Sequence, residues 1–202
     1  MSRRTVLRER TRERIVEATA SLHGERGVFG TSYQDIAREA DVSVATVYKH
    51  FPSLNELLPA CGALVMERAR PPRPEQAAEV VGDATDLRER LRRVATELFA
   101  YYERGGPHLE VDARERQLPG MREWEKRERA LVARFVGEAL RPGEARPHTV
   151  RLVSALCDLP SFRALRTRGV SAAGAAEAVA IAGSCLLAQA QSKTHKQRKE
   201  SR

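Results

Sequence analysis

The chain has 202 residues, 42% of them apolar, with 35 Lys or Arg against 27 Asp or Glu and a formal net charge of +8. That length suits one large domain or a small one joined to a larger, and the composition is that of a chain that folds in water. Three cysteines, Cys61, Cys157 and Cys185, lie far apart with no CxxC pair and no histidine at metal-ligand spacing, which excludes a disulfide framework and a zinc site; no metal and no cofactor is expected.

Ala, Arg, Leu and Glu dominate, aromatics are few and β-branched runs are nearly absent, so an all-α fold is expected. The opening "MSRRTVLRER" has no apolar run after its charges and is not a secretory signal, which makes the expected location cytoplasmic. Residues 1–14 carry six Arg against two Glu and residues 193–202 five Lys or Arg against one Glu, which leaves 24 of each sign between them. All of the excess charge therefore sits at the two ends, with Arg3, Arg4 and Arg8 read as a flexible basic arm.

In chain order, the first amphipathic helix runs from about Thr5 to His23, with Ile15, Ala18 and Leu22 at helical spacing, and "GERGVFG" ends it with glycine breaks. A short helix follows, capped by Thr31 or Ser32, with Ile36, Ala37 and Ala40 on its inner face. "DVS" makes a tight turn; Ser43 caps a third helix that ends near Phe51, because Pro52 cannot continue it. Ser53 and Glu56 have the spacing of a capping box for a fourth helix, which "RPPRP" at 70–74 closes.

Leu87, Leu91, Val94, Leu98 and Tyr102 then form a stripe on one helix, and Trp124, Leu131, Val132 and Phe135 one on another after "QLPG". Two further helices lie around 148–159 and 171–191. The second is long enough to cross a bilayer, but most of its apolar count is Ala and Gly and it holds Glu177 and Gln189, so it reads as a buried helix and no membrane partner is expected. It packs either in a dimer's four-helix bundle or inside one subunit.

Two short helices joined by a tight turn and packed on a longer one form a helix-turn-helix. Ala37 permits a close crossing, while Val47 and Phe51 anchor the third helix from below. Val44, Ala45, Thr46, Tyr48, Lys49 and His50 are left on its other faces, with short side chains where a helix must approach base edges. Residues 24–58, "GERGVFGTSYQDIAREADVSVATVYKHFPSLNELL", resemble the TetR family of transcriptional regulators. Three positions depart from its pattern: His23 stands where the family prefers Phe, loosening the small core; Asp41 replaces the turn Gly, tolerable because Asp accepts left-handed geometry; and Leu54 replaces a common Lys, removing one phosphate contact.

The resemblance implies a homodimer with DNA-binding residues 1–52, a ligand-binding and dimerisation domain over 53–192 and a basic tail over 193–202. It implies a repressor released from a palindromic double-stranded DNA operator by a small-molecule effector. The DNA-binding candidates are Thr31, Ser32, Tyr33, Ser43, Val44, Ala45, Thr46, Tyr48, Lys49 and His50. Lys49 either reaches a guanine edge or only neutralises a phosphate. Tyr102, Trp124 and Glu128 are the ligand candidates, and Tyr101, Tyr102 and Trp124 serve either a pocket or ordinary core packing. Glu128 falls within an apolar stripe, so it either faces solvent or meets a polar ligand or an Arg. With no phosphate loop, nucleophile elbow, HExxH or Cys–His cluster, no enzyme is expected; the alternative function is a helical adaptor that uses the helix-turn-helix for protein contacts.

Overall fold

The computed structural model describes residues 2–141 and 146–200, with side chains as far as Gln189. Among them the regular elements are helices: α1 Arg3–Arg26, α2 Tyr33–Glu39, α3 Val44–His50, α4 Leu54–Ala69, α5 Ala77–Val81, α6 Leu87–Gly105, α7 Pro119–Leu140, α8 Pro147–Cys157, α9 Leu159–Arg166 and α10 Ala172–Glu200. The chain divides into two compact units, Met1–Arg70 with Glu103–Trp124, and Pro71–Tyr102 with Glu125–Arg202.

In the first unit, α1 buries Ile15, Val16, Ala18 and Leu22 in one cluster with Ile36, Ala37, Ala40, Val47, Phe51 and Leu57. The small residues Ala37 and Ala40 of α2 let the two short helices, α2 and α3, close over α1. Ser32 accepts from Asp35 N and Asp35 accepts from Ser32 N, each at 3.1 Å, a complete capping box. Ser43 Oγ accepts from Thr46 N at 3.1 Å and opens α3. Between them Asp41 has φ +50°, the left-handed conformation the turn demands, and Arg14 donates to the Asp41 carbonyl at 2.8 Å.

Two local expectations change. The Ser53 hydroxyl donates to Glu56 Oε1 at 3.2 Å instead of accepting from an amide, so the box at the start of α4 is not formed. The helix α1 begins at Arg3, where Ser2 Oγ accepts from Arg4 N at 3.3 Å, so the arm is helical rather than flexible. Arg and Glu are good helix formers, and a capped helix already nucleated by its buried half extends through them at little cost.

In the second unit, α6 buries Leu91, Val94, Leu98 and Tyr102 of the expected stripe, leaves Leu87 half-buried and adds Phe99 and Tyr101. The ring of Phe99 lies 4.6 Å from that of Phe162 on α9, and Tyr102 lies 5.9 Å from Phe162. Arg90 is only 2% exposed and donates to the carbonyls of Ala139 and Thr85, both at 2.6 Å. The expected helix over 148–159 ends at Cys157; Asp158 Oδ1 accepts from Ser161 N at 3.0 Å and starts α9.

The helix α10 packs against α8 and α9 through Ala175, Ala176, Val179, Ala180 and Leu187. A Cβ on Gly183 would come within 2.8 Å of Leu91 Cδ1, so glycine is what allows the close approach to α6. The stretch Ala172–Gln189 is long and apolar enough to cross a membrane by length and composition; a third of it is buried, on the face that packs in this unit, while Ile181 and Leu186 are exposed, so the expected burial is met on one face only. The side chains of the basic tail, residues 193–202, lie outside the described residues.

Candidate nucleic-acid interface and ligand site

The helix α3 rests on buried Val47 and Phe51 and turns Ala45, Tyr48 and Lys49 outward, with Tyr48 53% exposed. Val44, Thr46 and His50 are half-buried, and Val44 packs against the core cluster. The hydroxyls of Ser43 and Thr46 are hydrogen-bonded to each other at 2.8 Å. Tyr33 packs against Tyr48, with ring centroids 4.7 Å apart and the planes tilted by 46°, and donates its hydroxyl to the Phe51 carbonyl at 3.1 Å. The chain therefore brings Tyr33 from α2 and Tyr48 from α3 onto one surface. Thr31 Oγ1 donates to the Gly27 carbonyl at 3.0 Å, beside exposed Ser32.

The N-terminal half of α1 brings Arg8, expected in a flexible basic arm, and Arg12 beside this surface. Burial holds His50 below its ordinary pKa, and the charges of Arg8, Lys49 and Arg12 push in the same direction, against Glu9. The Arg12 guanidinium lies 5.0 Å from the centre of the Phe51 ring. Arg8, Arg12, Lys49 and His50 thus form one basic cluster at the C-terminal end of α3. Such a cluster, next to a helix with a shallow outer face, suits a phosphate backbone.

In the second unit, Glu128 turns inward. Its Oε2 accepts from the Tyr101 hydroxyl at 3.1 Å, while its Oε1 is buried without a hydrogen-bond partner. Burial raises its pKa, opposed by the hydroxyls of Tyr101 and Tyr102. The Tyr102 hydroxyl donates to the Cys157 carbonyl at 3.3 Å. Tyr101, Tyr102 and Glu128 are therefore brought together. Trp124 is half-buried and belongs to the first unit. Among the described residues no group of His, Cys, Asp and Glu could hold a metal ion.

A three-helix cluster with an outward-turned α3 and a basic flank defines a helix-turn-helix DNA-binding protein. Residues 15–61 match the family model for bacterial regulatory proteins of the tetR family. Among solved structures, a TetR-like transcriptional regulator from Rhodococcus sp. RHA1 superposes with a TM-score of 0.61 at 19% identity, covering 88% of this chain and 96% of its own. The multidrug binding protein EbrR complexed with imidazole gives 0.54 at 25% identity, covering 85% and 93%; its complex with malachite green gives 0.53 at 24%, covering 85% and 96%. NalD, the secondary repressor of the MexAB-OprM multidrug efflux pump in Pseudomonas aeruginosa, gives 0.54 at 22% identity, covering 87% and 94%. Comparison with curated protein sequences gives no match. Residues 15–61 therefore carry the DNA-binding domain of bacterial regulatory proteins of the tetR family, and the fold of the chain is that of the solved regulators.

Proposed function

We propose that the protein is a cytoplasmic homodimeric repressor that a small molecule releases from a palindromic operator. Residues 1–52 bind DNA, 53–192 take the ligand and dimerise, and 193–202 form a basic tail. The DNA half rests on the outer face of α3, where Ala45, Tyr48 and Lys49 stand clear of the core beside Arg8, Arg12 and His50. Half-sites one turn apart lie ~34–36 Å from each other along DNA, so a ligand that alters the spacing of two recognition helices weakens binding. By linkage, operator must weaken ligand binding by the same factor.

The observation that carries the ligand half is the unpartnered Oε1 of Glu128. A buried carboxylate oxygen without a donor suits the protonated amine or delocalised charge of an organic cation, and the faces of Tyr101 and Tyr102 suit its apolar body. Malachite green, a cationic dye bound by EbrR, is a direct probe. Fluorescence anisotropy of a duplex selected from random sequence by this chain tests both halves. Binding should fall steeply with salt, and malachite green should release the duplex from the wild type but not from Glu128→Gln. Salt-independent binding would instead favour the adaptor, whose contacts release no counterions.

A further inference from the structure

The last turn of α6 and the segment that leads to α7 carry none of the candidates, yet their side chains end on the backbone of α1, α4 and the turn before α2. Arg104 donates to the carbonyls of Ala69 and Arg70 at 2.9 and 3.0 Å, holding the end of α4. His108 Nε2 donates to the Ala20 carbonyl at 2.8 Å, with its ring over Gly24, where a Cβ would come within 2.8 Å of it. Glu115 reaches furthest. Its Oε1 accepts from Val28 N at 2.6 Å, across 87 residues of sequence, and its Oε2 accepts from Asp112 N at 3.1 Å.

A glutamate 4% exposed is rare without a cation, and here two backbone N–H groups take the cation's place. The surroundings are shaped to it. Gly27 has φ +73°, and a Cβ there would lie 3.0 Å from Glu115 Oε1. Asp112 Oδ1 accepts from the amides of Arg114 and Glu115, both at 2.7 Å, which fixes the turn that presents the carboxylate. The Arg114 guanidinium covers the exposed Phe29 ring at 4.6 Å. Val28 in turn accepts from Thr31 N at 3.4 Å, and Thr31 Oγ1 bonds to Gly27, so the turn that Glu115 grips is the one that leads into Thr31, Ser32 and Tyr33.

We propose that Glu115 is a positioning residue for operator binding: by accepting the Val28 N–H it holds the Gly27–Thr31 turn, and with it Thr31, Ser32 and Tyr33, in the arrangement that meets DNA. This rests on the operator-binding reading above. Glu115 touches no DNA itself, so its loss acts through its neighbours. Glu115→Gln keeps the size but sets an amide NH₂ against one of the two N–H donors, and one bond is lost.

The experiment compares full-length wild type, Glu115→Gln, Thr31→Ala and the double variant on the duplex selected by the wild type, at temperatures where each is folded by circular dichroism. Glu115→Gln should bind at least tenfold more weakly with an unchanged slope of log affinity against log salt, and Thr31→Ala should cost less in its background than in the wild type. Binding within twofold of wild type, whatever the change in melting temperature, overturns the proposal; so does a fully additive double variant. If Glu115→Gln does not fold, Glu115→Asp withdraws the carboxylate by one methylene, and the same outcomes decide. A wild type that selects no duplex refutes operator binding itself, and this inference with it; a wild type that binds no better than Glu115→Gln refutes the inference alone.

Discussion

His23 Nδ1 on α1 lies 3.8 Å from Cys61 Sγ on α4, a polar contact where the family prefers an aromatic ring. Burial is the main reason that the imidazole pKa falls to about 4; Glu115 raises it and His108 lowers it. Burial likewise pushes the Cys61 thiol up to about 11, so the pair is neutral at pH 7 and the thiol is a poor nucleophile. In the unfolded chain the histidine takes up its proton near pH 6.5. The folded form resists it, so stability is lost as pH falls from 6.5 towards 4.

Between pH 7.5 and 5 this loss comes to at most about 2 kcal/mol, since a one-unit shift is worth about 1.4 and the ring is only partly buried. The variant His23→Phe should lose correspondingly less on acidification. Urea unfolding at the two pH values measures it; an equal loss in both proteins would remove His23 as the source.

Glu128→Gln should stabilise the ligand-free protein. A carboxyl whose folded pKa is raised adds stability that is fully present below its unfolded pKa and lost as pH rises through the folded one. The amide does not titrate, so the gain in melting temperature should be larger at pH 8 than at pH 5. A variant less stable at both values would show that Glu128 holds the unit together and is not kept there for a ligand.

What was legible in the sequence was local. Ser32 and Ser43 announce their helices because a cap reaches only two or three residues ahead, and Asp41 marks its turn because φ is a property of one residue. The stripes of α6 and α7 follow from 3.6-residue periodicity. By contrast, Glu115 finds Val28 87 residues away, and Glu128 finds Tyr101 27 residues away, across folds that no spacing rule encodes. Asp158 was hidden differently: a helix broken and restarted within one residue leaves the apolar pattern almost intact.

A helical arm makes unequal use of its charges. Arg8 and Arg12, four residues apart, share the side of α1 that faces His50, while Arg10 is turned well away from it. Arg8→Ala should therefore flatten the slope of log affinity against log salt by about 0.9, one phosphate contact, and Arg10→Ala should leave it nearly unchanged. Equal effects would mean that residues 3–12 act as unstructured charge.

The outer faces of α8 and α10 predict the assembly. Leu152, Ile181 and Leu186 are 43%, 43% and 38% exposed, on helices whose opposite faces are fully packed. An apolar face of this kind suits a second copy of the chain. Ile181→Glu with Leu186→Glu should give the mass of a single chain by light scattering while keeping the helical circular dichroism of the wild type. A dimer that survives both charges would place the interface elsewhere.

The last prediction concerns how α3 reads sequence. Its first turn holds no Arg, Asn or Gln, so the bidentate contacts that separate G from A are absent there. Burial narrows the choice further: Val44 packs against the core and the Thr46 hydroxyl is engaged by Ser43, which leaves the Ala45 methyl for a thymine and Lys49 for a guanine edge. Tyr48 is braced by Tyr33, whose own hydroxyl is spent on the Phe51 carbonyl, so the Tyr48 phenol is held at fixed height to meet a phosphate. Tyr48→Phe should then weaken strong and weak duplexes alike. Lys49→Ala should cost about 1–3 kcal/mol on duplexes with guanine at one position per half-site and much less where that guanine is replaced. Affinities across a panel of single-base variants decide it, because a lysine that only neutralises a phosphate gives the same loss on every member of the panel.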